Sequence, residues 1–148
     1  MDTQLTTAEI NAKREILQDY TPAREALATL EKYDRRLDVA FDQLWSEKNG
    51  RSLMQDKSLW EVTLKVLRNE LCGNDGFRAQ VKEYSKNPGS TPLLTGLIVY
   101  LVGIAGMPID PAIATVIVLY ILKVGLNIFC DYSAPPAADS PESQSPEN

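Results

Sequence analysis

The chain has no histidine, and its only two cysteines, Cys72 and Cys130, stand 58 positions apart. Without histidine it lacks the usual proton shuttle at neutral pH and the commonest metal ligand. Nor does it contain a C-x-x-C pair, an H-E-x-x-H helix, a glycine-rich phosphate loop or a nucleophile elbow. Asn69, Glu70, Asn74 and Asp75 cluster oxygen ligands, but the spacing of a calcium loop is missing and helix termination accounts for them better. These absences point away from enzyme chemistry, and no cofactor or metal is expected. Two distant cysteines without a partner pattern read as separate thiols of a reducing compartment, so no disulfide is expected.

Other features are missing too. The start, MDTQLTTAEINAKREILQDY, lacks the basic and then apolar pattern of a secretory signal. No stretch alternates with period two for long enough to make a sheet, and the fold class that follows is all-α. No basic patch exists to neutralise phosphates, which excludes nucleic acid as a partner.

What charge there is falls unevenly. Residues 1–91 carry 15 acids and 14 bases, whereas residues 92–130 carry only Asp110 and Lys123, and residues 131–148 carry four acids and no base. Three segments follow: amphipathic helices over 1–91, an apolar pair of helices over 92–130, and a disordered Pro/Ser-rich acidic tail over 131–148. In the tail, Ser140-Pro141 and Ser145-Pro146 are the residues open to modification or binding, with solvation as the default.

The first segment reads as three or four helices. A short one is expected from Thr7 to Asp19, with Thr7 as cap. A long one is expected from Thr21 to Lys48, where Pro22 suits the first turn and Leu27, Leu30, Tyr33, Leu37, Phe41, Leu44 and Trp45 form one stripe. Packing within the chain is the ordinary explanation for that stripe; its functional reading is a partner face at Tyr33, Leu37 and Phe41. Ser58-x-x-Glu61 has the form of a capping box ahead of a face made by Trp60, Leu64, Leu67 and Leu71. Gly73 ends that helix. Asn74-Asp75-Gly76 then leads into a further one whose Phe77, Val81 and Tyr84 share a side, closed by Asn87-Pro88-Gly89-Ser90.

The second segment runs uncharged from Leu93 to Met107, is broken at Pro108-Ile109-Asp110-Pro111, and continues from Ala112 to Phe129. Two prolines three apart cannot lie in one straight helix, so a helical hairpin is expected, its turn made by Pro108, Asp110 and Pro111. At about 1.5 Å per residue the arms reach only about 22 and 27 Å, against roughly 30 Å of bilayer hydrocarbon. Some 70 amphipathic helical residues are too little cover for two such helices unless several copies assemble, on this reading. Arg78, Lys82 and Lys86 precede the first arm and the turn carries only Asp110, so the expected placement is in a membrane, with N- and C-terminal segments cytosolic. Lys123 is then an intramembrane charge, and Gly96, Gly103 and Gly106 are helix-packing positions.

The function expected on these grounds is a small membrane-anchored adaptor or accessory subunit, with the lipid bilayer and an unknown protein as partners. One alternative is a membrane-perturbing effector with an insertable hairpin, similar in layout to the hydrophobic hairpin of pore-forming colicins. The other is a soluble helical oligomer, possible as a homo-oligomer, with the hairpin as its core.

Overall fold

Local capping starts the chain. Thr6 accepts from the backbone N–H of Glu9, and Glu9 accepts in turn from the N–H of Thr6 at 2.8 Å, a reciprocal box that opens α1 (Thr7–Ile16) one residue earlier than the expected Thr7 cap. The structure is a computed structural model that describes residues 3–50, 59–104 and 109–132. Those residues are all-helical, with α2 (Thr21–Lys32), α3 (Leu37–Asn49), α4 (Leu59–Leu71), α5 (Asp75–Lys86), α6 (Thr91–Ile104), α7 (Pro111–Val124) and α8 (Leu126–Tyr132) following α1. Segment 1–91 thus holds five described helices rather than three or four. The expected capping box at Ser58 lies outside the described residues.

The additional helix comes from a break in the run expected from Thr21 to Lys48. Asp34 and Arg35 adopt left-handed backbone angles, φ 60° and 62°, a conformation that costs a non-glycine residue about 1–2 kcal/mol. Long-range hydrogen bonds offset that cost. The N-terminal strand-like residues pair antiparallel with the turn: Leu5 N–H donates to the Arg35 carbonyl at 2.9 Å and Leu37 N–H to the Thr3 carbonyl at 2.7 Å. The Arg35 guanidinium donates to the Leu5 carbonyl at 2.7 Å, and the Gln4 amide donates to the Asp34 carbonyl at 2.8 Å. The apolar stripe survives the break because α2 and α3 both turn it inward.

What they cover is α7. Every residue from Ala112 to Ile121 is buried, about three turns without an exposed side. Such a helix needs neighbours all round, and it packs against α2, α3 and α6, with α8 at its end. Alanines on the covering helices (Ala23, Ala26 and Ala40) are fully buried, and small side chains let helix axes approach closely. Trp60, Leu64, Leu67 and Leu71 of α4 and Phe77, Val81 and Tyr84 of α5 are also buried. The Trp60 ring meets Phe41 on one side and Tyr120 of α7 on the other, both edge-on, with centroids 5.5 and 4.9 Å away.

The second apolar run is not one helix to Phe129. Gly125, at φ 92°, ends α7, a backbone position glycine occupies without a Cβ penalty. The short α8 then follows.

One core includes residues from Leu5 to Phe129, so the helices of 1–91 and those of 92–130 do not build separate interiors. A detached fragment 1–91 would leave the inner faces of α2 and α3 open to water. It is expected to show no cooperative thermal transition by circular dichroism, whereas the full chain melts cooperatively.

Candidate functional site

Both polar ends of α7 are tied to distant parts of the chain. At its start, Asp110 accepts from the Ile113 N–H at 2.9 Å as a helix cap, and its other oxygen lies 3.4 Å from Lys48 Nζ. Lys48 also meets Glu25 at 2.9 Å, so α2, α3 and the α7 cap share one ammonium. The hydrogen bond to Glu25 raises the Lys48 pKa, against the opposing effect of desolvation. At the other end, Lys123 donates to Glu9 of α1 at 2.9 Å, its side chain only 12% exposed. Burial pushes the Glu9 carboxyl up, but the Thr6 N–H and Lys123 together pull it below its ordinary value.

Beside this pair is a concavity of about 200 Å³ lined by Leu5, Glu9, Ala12, Lys13, Leu119, Leu122 and Lys123. Its charges are engaged with one another or with the fold. Lys13 donates to the Tyr84 hydroxyl at 3.0 Å and lies 5.3 Å over that ring. Among the described residues no group of acids and cysteines could hold a metal ion.

The sequence-based site residues scatter. Leu37 and Phe41 are fully buried in the core, which removes them from any partner face; Tyr33 is half-buried at the end of α2. Leu37 and Phe41 face inward because the turn at Asp34-Arg35 folds their helix back over α7. Gly96 is half-buried, with Gln80 of α5 3.6 Å from where a Cβ would be, while Gly103 is exposed with open space around it and so is no internal packing position. Gly106 and Pro108 lie outside the described residues. Asp110 and Pro111 begin α7. A glycine the sequence did not single out has a packing role: a Cβ on Gly76 would overlap the Tyr100 hydroxyl, which donates to the capping oxygen of Asn74 at 2.8 Å.

Three expectations are corrected. No helix among the described residues is long and apolar enough to cross a membrane. Both α6 and α7 have 14 residues, about 21 Å at 1.5 Å each against roughly 30 Å of hydrocarbon. The membrane placement therefore falls, and Lys123 is an ion-paired residue rather than an intramembrane charge. Coverage was undercounted as well, because the chain's own helices bury α7 without further copies. The cysteines are not separate thiols: Cys72 and Cys130 form a disulfide. Linking positions 58 apart restricts the unfolded chain by about 4 kcal/mol in the loop-closure account.

That bond sits in a polar setting. Cys72 follows α4 and Cys130 lies on α8, and between them the Arg78 guanidinium donates to the Cys72 carbonyl at 3.1 Å and to Asn127 at 3.3 Å. The same guanidinium is 3.7 Å from Cys130 Sγ. Sequence spacing gave no sign of the pairing, because it depends on where α7 returns the chain.

Comparison with known proteins finds no match, whether to a protein-family model, a curated protein or a solved structure.

The Glu9 tie makes stability pH-dependent with a defined sign. A carboxyl whose folded pKa is depressed contributes stability above its unfolded value, ordinarily 4.5 here, and loses it as pH falls through the lower folded value. Glu9→Gln is therefore expected to destabilise the protein at neutral pH, and the gap from wild type should narrow below pH 4.5. Denaturant titrations at several pH values measure this.

Proposed function

We propose that the protein is a non-enzymatic helical interaction module, an adaptor or accessory subunit, which takes an amphipathic helix of a partner protein along the outer face of α6. The observation that carries this reading is the character of that face. Helix α6 has no Asp, Glu, Lys or Arg over Thr91–Ile104. Its exposed positions Pro92, Val99 and Gly103, with half-buried Thr95 and Gly96 between them, recur at steps of one, three and four, with Val99 56% exposed. Uncharged helix faces in water are unusual beside helices as charged as α1 to α5. Its small side chains suit close approach by another helix, the groove-binding mode that reads anchors at helical spacing.

The inner face of α6 supports the same reading. Leu94, Leu97, Ile98 and Leu101 are buried in the core, so the outer ridge rests on a fixed support and needs no rearrangement to present itself. Ser90 caps the start of α6 by accepting from the Leu93 N–H at 3.2 Å, and the Thr91 hydroxyl donates to the Ile16 carbonyl at 2.6 Å, which ties that start to the end of α1. The membrane-perturbing alternative draws no support from helices of 14 residues.

Two substitutions test the reading from opposite directions. Val99→Glu leaves the core untouched, so melting should be nearly unchanged while partner capture drops at least about tenfold, roughly 1.4 kcal/mol. Gly103→Ala removes glycine's helix penalty and should stabilise the fold by no more than about 1 kcal/mol, yet weaken capture because a methyl fills the close-approach position. Affinity purification of the full chain and both variants from native cells, with Lys65→Glu on α4 as a surface control, separates the outcomes. Equal recovery of the same proteins by wild type and Val99→Glu would remove α6 as the binding face.

A further inference from the structure

We propose that the Cys72–Cys130 disulfide is a reversible redox latch that holds α8 down and is opened by a dithiol reductant. Cys72 and Cys130 are half-buried residues packed against the edge of the core and not within it, a placement that a small dithiol can approach. Their surroundings differ. Cys72 follows the last residue of α4, where its N–H bonds the Arg68 carbonyl at 3.1 Å, and the negative end of a helix disfavours a thiolate there. Cys130 has the Arg78 guanidinium at 3.7 Å, a cation that favours one.

The asymmetry fixes the direction of exchange. A thiolate of the reductant attacks Cys72 Sγ; the S–S bond breaks, and its electron pair leaves on Cys130 as a thiolate facing Arg78. The mixed disulfide on Cys72 is then attacked by the reductant's second thiolate, which forms the reductant's own cyclic disulfide and releases Cys72 to take a proton from water. Two electrons pass from the dithiol to the protein, and the reverse exchange with a disulfide oxidant closes the latch again.

Opening frees a segment that is otherwise weakly held. Helix α8 has seven residues, too few to persist alone in water. It hangs from Gly125, a left-handed glycine that can serve as a hinge. Asn127 and Ile128 are exposed, so the non-covalent hold rests on half-buried Leu126 against the core edge, on Phe129, packed 6.4 Å from Tyr120 with Arg68 5.7 Å over its ring, and on the Arg78–Asn127 hydrogen bond. Departure of α8 would bare Phe129 and the Tyr120 side that it covers, which makes an apolar surface conditional on redox state.

Hydrogen exchange of the full wild-type chain, before and after reduction with dithiothreitol and with thiols counted by a chromogenic disulfide, tests this directly. The expected result is exchange at residues 126–132 at least about a hundredfold faster after reduction, with α2, α3 and α7 still protected and the change reversed by oxidised glutathione. Arg78→Leu should slow reduction about tenfold, a rate effect that a purely structural cross-link would not require. Unchanged protection of 126–132 in the reduced protein would overturn the latch. So would loss of protection across all helices, since the bond would then be a staple of the whole fold, and so would two free thiols persisting in glutathione redox buffer.

Discussion

A ten-residue stretch with no polar face, Ala112 to Ile121, must be kept from water on every side, and the rest of the structure follows from that constraint. An amphipathic helix needs one neighbour; α7 needs several. The chain meets the demand by bending one long apolar stripe into two helices, so that α2 and α3 both face α7, and by adding α6 from the adjoining sequence. Thr115, a buried polar side chain in the stretch, is satisfied locally, its hydroxyl donating to the Pro111 carbonyl at 2.7 Å. No water or distant partner is required there.

The left-handed turn at Asp34-Arg35 follows from the same demand. A straight helix from Thr21 to Lys48 would carry its stripe past α7 instead of around it. Two left-handed non-glycine residues are unfavourable locally, so the turn persists only because Thr3, Gln4 and Leu5 hydrogen-bond across it. Burying Leu5 and Ile10 binds that N-terminal stretch in place. The first residues of the described chain are therefore part of the device that lets the core close.

How much of this the amino-acid sequence shows depends on the range of the interaction. Faces set by neighbours three and four apart were legible: Trp60, Leu64, Leu67 and Leu71 on one helix, and Phe77, Val81 and Tyr84 on the next. Asp110 as a cap with Pro111 after it was equally local. The break at Asp34 was not legible locally, since helix propensity runs through it and the bonds that stabilise the turn come from 30 residues away. Mean hydropathy made α6 and α7 resemble membrane segments because an apolar run carries no mark of what covers it; the distinction lies in length, 14 residues each, and in Gly125. Of the candidate partner positions, Leu37 and Phe41 were misread for the same reason: a stripe says that a face is covered, and tertiary structure decides by what.

An all-apolar helix also has a register problem that shape alone solves poorly. Leu, Ile and Val side chains around α7 could pack acceptably after a small rotation or a slide of one turn, about 5.4 Å, because dispersion is non-directional. Charges at the ends are directional. Asp110 reaches Lys48 on α3 while capping α7, and Lys123, 13 positions later, reaches Glu9 on α1. A slide of 5.4 Å would part both pairs at once and leave Lys123, now 12% exposed, without its carboxylate in a mostly apolar setting, an outcome far costlier than the loss of an exposed pair. Each charge also has the sign favoured at its end of the helix, acid at the start and base in the last turn. The two charged residues of segment 92–130 thus fix where α7 lies along its axis, and the apolar residues between them supply the attraction that makes the position worth fixing.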